Sequence, residues 1–260
     1  MEFNVLGPLE VVVGARELPH PSPKVSQLLS LLLLNDGRFV PSASLSYELW
    51  PDDAPRTALT TLQTYVVQLR KLLAGGTRRS TAEIAKDVLQ TRGTGYRLNV
   101  DAGALDLHGY RRLLAEAEAG LRAGDHDTAM RSWRRAESVW RGDVLVDIEH
   151  GPLLSAAAAE LRESRLTMTS RRIEAQLTLG LHYQTLGELA GLVQFHPIDE
   201  GLHTQFMLAL HRSGHRGRAL QVYHELRRSM RDRLGVGPSA STQRVFQALL
   251  SGDESLDLVR

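Results

Sequence analysis

TALTTLQTYVVQLRKLL, residues Thr57–Leu73, has the clearest secondary-structure pattern in the first half of this chain. Successive helical residues lie ~100° apart, so five apolar side chains fall in one stripe: Leu59, Leu62, Val66, Leu69 and Leu73. The opposite face carries hydroxyl, amide and methyl groups with few charges: Thr57, Thr60, Thr64, Val67, Gln68 and Lys71. The pattern predicts an amphipathic helix with one face in a core.

The polar face of this helix offers the groups that read base edges in a DNA major groove. Arg70 and Lys71, followed by Arg78 and Arg79, supply cations for phosphates. We expect DNA contacts from eight residues here: Thr57, Thr60, Thr61, Thr64, Tyr65, Gln68, Arg70 and Lys71. Taken alone, the stretch is equally consistent with an ordinary packed surface helix.

The segment VLQTRGTGYRLNV, Val88–Val100, predicts two short strands around a tight turn. Gly93 and Gly95 suit the turn, and the flanking residues favour strands. Arg92 and Arg97 make the hairpin basic and are the remaining candidates for DNA contact. A helix followed by a basic hairpin is the layout of a winged helix.

Two motifs resemble the OmpR/PhoB-type winged helix. Gln68–Leu73 (QLRKLL) is similar to the end of that domain's last helix, and Arg92–Leu98 (RGTGYRL) is similar to its wing. The residues before them fit the same domain. Met1–Leu18 predicts a small antiparallel sheet, Lys24–Asn35 a buried helix, and Ala43–Trp50 a second helix that Ser42 caps.

The net charge of +1 is unevenly distributed over the 260 residues. Residues 1–55 contain three basic and seven acidic residues, and residues 101–260 contain twenty and twenty-one. Residues 56–100 contain eight basic and two acidic residues, a local charge of +6. This concentration on the helix and hairpin is the electrostatic signature of nucleic-acid binding.

Composition limits the other classes of function. The chain has no cysteine, which excludes disulfides and thiolate metal sites and suits a reducing compartment. The longest apolar run, Leu28–Leu34, is far shorter than the ~20 residues of a membrane span. We therefore expect a cytoplasmic protein that does not enter a membrane and carries no cofactor.

The loop Pro51–Ala58 (PDDAPRTA) is stiffened by two prolines and is acidic. The resemblance to OmpR/PhoB domains implies that this loop touches RNA polymerase. Four residues are the expected polymerase contacts: Lys24, Asp52, Asp53 and Arg56. A simpler alternative is that Asp52 or Asp53 only caps a turn.

From Asp106 onward the pattern is helical, after a polar hinge at Asp101–Leu105. Three segments that begin at Gly124, Gly180 and Gly214 share a spacing of small and large residues that is typical of tetratricopeptide-like (TPR-like) repeats. The expected domains are a winged helix at 1–100, a TPR-like helical domain at 101–250 and a flexible tail at 251–260. The expected fold is mainly α with a small β component.

Both halves together resemble the SARP family, the Streptomyces antibiotic regulatory proteins. The similar stretches include FNVLGPLEV (Phe3–Val11), TTLQTYVVQLRKLL (Thr60–Leu73), the corner Trp140–Gly142 and the segment His196–Met230. The second half is similar to the family's bacterial transcriptional activation domain. The chain resembles a small SARP that has only these two modules.

The resemblance implies an activator that binds direct repeats upstream of antibiotic biosynthesis promoters. Its expected partners are double-stranded promoter DNA, a second copy of the chain on that DNA, and RNA polymerase holoenzyme. Within the holoenzyme, the sigma factor is expected to be contacted, with the alpha C-terminal domain and the beta subunits as further candidates.

Two other classes of function compete with this one. An enzyme has little support, since the sequence contains no H-E-x-x-H, G-x-S-x-G or phosphate-loop motif. A TPR-type interaction scaffold with an accessory DNA-binding domain is the stronger alternative. The basic hairpin argues against it, and the salt dependence of binding distinguishes the two.

Overall fold

A computed structural model describes residues 1–14, 16–19, 21–253 and 256. It divides into two compact units, Met1–Arg165 and Leu166–Arg260, with the division inside one long helix. No helix in the described part of the chain is long and apolar enough to cross a membrane.

The first unit begins with the expected antiparallel sheet. It comprises β1 (Glu2–Asn4), β2 (Glu10–Val13) and β3 (Arg16–Glu17), in that order. Phe3 pairs with Val11, and both side chains are buried. The sheet therefore contributes its apolar side chains to the core of the unit.

Three helices follow: α1 (Pro23–Leu34), α2 (Ser42–Leu49) and α3 (Ala58–Gly75). Pro23 lies at the start of α1, where its missing N–H costs no hydrogen bond. α3 contacts both other helices through its buried residues: Leu62, Val66, Leu69 and Leu73. Burying each such side chain contributes about 1.5–3 kcal/mol, which fixes the orientation of α3.

The wing is the second sheet, with the order β4 (Phe39–Pro41), β6 (Gly95–Leu98) and β5 (Leu89–Arg92). Gly93 has φ +50°, a left-handed conformation that glycine adopts at little cost. A Cβ on Gly95 would lie 2.3 Å from the Val40 carbonyl oxygen, so β4 approaches β6 too closely for any side chain there. Between α3 and β5, the turn α4 (Thr81–Glu83) continues as a π-helical turn, Ile84–Val88.

The first unit continues past the boundary that the sequence suggests near residue 100. It includes α5 (Asp106–Arg122), α6 (His126–Ser138) and the first part of α7 (Pro152–Thr178). The reason lies in hydrogen bonds that join these elements to the N-terminal residues. Val5 and Leu6 donate to the Asp106 carboxylate, and the backbone N–H of Leu145 donates to the carbonyl oxygens of Val5 and Gly7.

Glu48 makes the second connection within this unit. Its side chain, with the residue only 1% exposed, accepts hydrogen bonds from the backbone N–H groups of Gly151, Leu153 and Leu154. It also accepts one from Gln27 Nε2 at 3.0 Å. A carboxylate of α2 therefore caps the first turn of α7.

The second unit contains the rest of α7 and four more helices: α8 (His182–Phe195), α9 (Glu200–Arg212), α10 (Arg216–Leu234) and α11 (Ala240–Ser251). Its core includes Leu189, Phe206, Met207 and Tyr223, and the Tyr223 ring stacks on Phe246 at 3.8 Å.

The repeat glycines behave as the spacing predicts. Gly124, Gly180 and Gly214 have φ of +73°, +77° and +79°, and each lies two residues beyond the end of a helix. The paired small and large residues of the three segments are buried: Ala129 with Trp133, Thr185 with Leu189, and Ala219 with Tyr223.

Several local expectations need correction. Leu59 is 61% exposed rather than buried, because the first turn of α3 carries it away from the core stripe toward the wing. Pro41, not Ser42, occupies the cap position of α2. The region 141–151 is not helical, although the sequence suggests helix there.

The expected tail, 251–260, lies largely outside the described residues. Ser251 still belongs to α11, and Leu256 packs against the core of the second unit.

Candidate nucleic-acid interface

The outward face of α3 is the centre of the candidate interface. Thr57, Thr60, Thr64, Gln68 and Lys71 are all exposed on it. The Thr64 hydroxyl donates to the Thr60 carbonyl oxygen at 3.0 Å, which leaves its lone pairs available as acceptors. These five residues offer one amide, three hydroxyls and one ammonium group to a partner.

Thr61 and Tyr65 lie at the edge of this face and are only half exposed. The Tyr65 ring stacks on Trp50 with centroids 6.2 Å apart and an interplanar angle of 26°. Trp50 is itself half-buried. The pair fixes the side of α3 that faces α2.

Arg70 joins α3 to the wing. Its Nε and Nη2 atoms donate to the Leu89 carbonyl oxygen at 3.0 and 2.8 Å, and Nη2 donates to Thr91 Oγ1 at 2.8 Å. Partial burial lowers the pKa of the guanidinium, and the same burial raises the pKa of neighbouring Tyr96. Three of five N–H donors are used in this way, so phosphate binding by Arg70 is left to Nη1.

The two arginines of the wing lie on β5 and β6. Arg92 and Arg97 are exposed, and Arg92 Nε donates to Gln90 Oε1 at 3.0 Å. A groove of about 230 Å³ lies between the wing and α3. Its lining includes Leu59, Gln63 and Thr94.

The expected polymerase contacts fall in two places. Asp52, Asp53 and Arg56 are exposed on the loop before α3. In the part of the chain that the structure describes, neither aspartate has a hydrogen bond that would cap a turn. Lys24 lies instead in the first turn of α1, where Nζ contacts Gln27 Oε1 at 3.1 Å and Glu149 Oε2 at 3.4 Å.

Three residues of the outward face were not among the expected contacts: Leu59, Gln63 and Val67. Gln63 is exposed, and Val67 is 45% exposed. The angular position of Gln63 in the helix could have indicated it. The angular position of Leu59 does not predict its exposure, because it places Leu59 on the border of the apolar stripe that faces the core.

Residues 16–98 match the protein family described as "Transcriptional regulatory protein, C terminal". Residues 105–250 match the family described as "Bacterial transcriptional activator domain". Regulatory protein DnrI of Streptomyces peucetius is 40% identical over 99% of this chain and 94% of its own length. The chain belongs to the SARP family of transcriptional activators. It is thus a DNA-binding transcriptional regulator with a winged helix and a helical activator domain.

Other SARP relatives are longer than this chain. Regulatory protein AfsR of Streptomyces griseus is 34% identical over 98% of this chain but only 25% of AfsR. A solved structure of Mycobacterium tuberculosis EmbR in complex with a low affinity phosphopeptide matches with a TM-score of 0.88 at 28% identity. The match covers 96% of this SARP chain and 65% of that chain.

Proposed function

We propose that this chain activates secondary-metabolite biosynthesis genes by binding direct repeats upstream of their promoters and recruiting RNA polymerase holoenzyme. The observation that carries the proposal is the outward face of α3. It combines exposed hydroxyl and amide groups with Lys71, beside a wing that carries Arg92 and Arg97. The positive charge of residues 56–100, which amounts to +6, also supports contact with DNA phosphates.

The roles within the interface follow from chemistry and position. Thr60, Thr64 and Gln68 bind base edges, because they are exposed along the middle of the face. Lys71, Arg92 and Arg97 bind phosphates and set the position of the protein on DNA. Thr57 contributes at the start of α3, while Thr61 and Tyr65 contact DNA only at the edge.

Recruitment of polymerase uses the loop Pro51–Ala58. Its exposed carboxylates repel DNA, so they suit a basic protein surface beside the promoter. Two prolines reduce the entropy lost when the loop is held by a partner. Lys24 is a weaker candidate, because it already pairs with Glu149.

The operator is a direct repeat with one winged helix on each unit, as the family resemblance implies. A second copy of the chain then binds the same face of the DNA when the repeat units lie about one helical turn apart. The functional modules are residues 1–100 for DNA binding and 101–250 for activation.

A footprint on a promoter fragment, with the full chain alone and with RNA polymerase, tests this proposal. We expect two protected tandem units and a protected region that extends into the promoter when polymerase is present. Protection of a symmetric palindrome contradicts the direct-repeat arrangement. Binding that is insensitive to salt would favour the alternative, a TPR-type scaffold with an accessory DNA-binding domain.

A further inference from the structure

Two apolar side chains on the outward part of α3 are exposed although nothing in the core requires them there. Leu59 is 61% exposed and Val67 is 45% exposed. An exposed leucine alone is common on protein surfaces. These two, however, belong to the element that the SARP fold directs at DNA.

Leu59 and Val67 form a ridge together with Gln63. The three residues are four positions apart, so they form one oblique row that turns by ~40° around the helix at each step. Leu59 and Gln63 also line the groove between α3 and the wing. The ridge lies beside the polar row of Thr60, Thr64 and Lys71, on the side that faces the wing.

The ridge does not have the form of a protein-docking patch. Its two apolar groups are separated by the exposed amide of Gln63, and they lie ~12 Å apart along the helix at 1.5 Å per residue. Two cations are exposed in the same unit, Lys71 on α3 and Arg92 at the end of β5. An anionic partner with isolated methyl groups fits this arrangement better than a continuous apolar surface.

We infer that Leu59 and Val67 each contact the 5-methyl group of a thymine, with Gln63 bonding an adenine between them. This inference rests on the proposed DNA binding and deepens it. Thymine is the one base that presents a methyl group in the major groove, and glutamine pairs with adenine N6 and N7 there. The ridge therefore determines sequence specificity in two ways. Leu59 and Val67 fit the thymine methyl groups, and the Gln63 amide hydrogen-bonds an adenine.

The distance along α3 sets the spacing of the thymines. A separation of ~12 Å corresponds to about three to four base pairs at 3.4 Å per base pair. The two methyl groups belong to two A·T pairs within one repeat unit, on either strand.

The test begins with an operator that the full-length chain selects from a random duplex library. Affinity is then measured for that operator with each thymine replaced singly by deoxyuracil, which removes only the methyl group. We expect two replacements, three to four base pairs apart, to weaken binding about fourfold each, the factor that corresponds to ~0.8 kcal/mol per buried methyl-sized group.

A double-mutant cycle assigns each methyl group to its residue. Leu59→Ala should weaken binding to the thymine operator, but it should cause no further loss of affinity on one of the deoxyuracil operators. Val67→Ala should show the same behaviour with the other deoxyuracil operator. Val146→Ala is the matched control, since Val146 is a 63% exposed residue outside α3. Thermal unfolding of each variant verifies that the fold is retained.

Equal affinity for thymine and deoxyuracil operators would overturn this inference and leave the proposed function intact. Additive losses from the alanine variant and the deoxyuracil replacement would overturn it as well, because the residue and the methyl group would then act independently. A chain that selects no sequence from the library would contradict the proposed function itself, and this inference with it.

Discussion

At the scale of single residues, the buried side chain of Asp106 connects α5 to the N-terminal residues of the chain. Its side chain is 8% exposed and accepts hydrogen bonds from the backbone N–H groups of Val5 and Leu6. Burial raises the pKa of the carboxyl, while these hydrogen bonds and nearby Arg141 act in the opposite direction. Burial is the largest of these effects, so the folded state holds the proton more tightly than the unfolded chain.

The raised pKa predicts how Asp106 contributes to stability as pH changes. Stability from this group is full below its ordinary pKa of 3.8 and is lost as pH rises through the higher folded pKa. The free energy of unfolding of the wild type minus that of Asp106→Asn should therefore increase as pH falls from 7 toward 4. Urea unfolding at several pH values measures this difference, and a decrease toward acid would contradict the prediction.

Gln68 and Lys71 are expected to affect DNA binding in different ways. Gln68→Ala should change the preference at one base pair by about 1–3 kcal/mol, because an amide reads a base edge. Lys71→Ala should weaken all duplexes alike and reduce the salt slope by about one, because it removes a phosphate contact. Binding to a set of single-base operator variants separates the two effects. An unchanged preference profile for Gln68→Ala would show that this side chain reads no base.

At the scale of elements, periodicity was sufficient to predict α1, α3 and the wing within a few residues. Each has an uninterrupted apolar pattern, and the wing has turn glycines. The π-helical turn Ile84–Val88 and the irregular region 141–151 were not predicted. Their conformations depend on partners far away in sequence, such as the carbonyl oxygens of Val5 and Gly7 that accept from Leu145.

The loop before α3 is expected to act in activation and not in DNA binding. Replacing Asp52 and Asp53 together by alanine should leave operator affinity nearly unchanged and lower transcription from a cognate promoter, because exposed carboxylates do not bind phosphates but can bind a basic protein surface. Purified polymerase and run-off transcription provide the measurement.

The matched control for this loop replaces two exposed acidic residues of the N-terminal sheet, Glu2 and Glu17, by alanine. It removes the same charge and should transcribe normally. Normal transcription by the Asp52 and Asp53 variant would place activation elsewhere, on the helical domain between Leu107 and Leu250.

At the scale of the whole molecule, the first compact unit combines the winged helix with the helices that follow it. The connection could not be predicted from sequence, since Glu48 in α2 has the sequence context of an ordinary surface glutamate. Its binding partners at Gly151, Leu153 and Leu154 are about a hundred residues away. The exposed polar face of α3 in the same unit is easier to predict, because the spacing of polar and apolar residues along one helix is a local property of the sequence.

Glu48→Gln should destabilise the first unit strongly. The amide places an NH₂ group toward N–H donors and removes the charge that strengthens three hydrogen bonds, at a cost of about 2–4 kcal/mol. Chemical unfolding of the full chain measures the loss, with Glu160→Gln as control because Glu160 is exposed on α7. Equal stability of the two variants would show that the α2 carboxylate does not hold α7 in place.

Sequence-specific DNA binding through α3 and the wing can be measured by competition between two duplexes at several salt concentrations. Affinity of the full chain is measured for its selected operator and for a scrambled duplex of equal length over a range of KCl concentrations. We predict a preference for the operator of at least about a thousandfold at physiological salt, with affinity for both duplexes falling steeply as salt rises. Equal affinity for the two duplexes at every salt concentration would contradict sequence-specific binding.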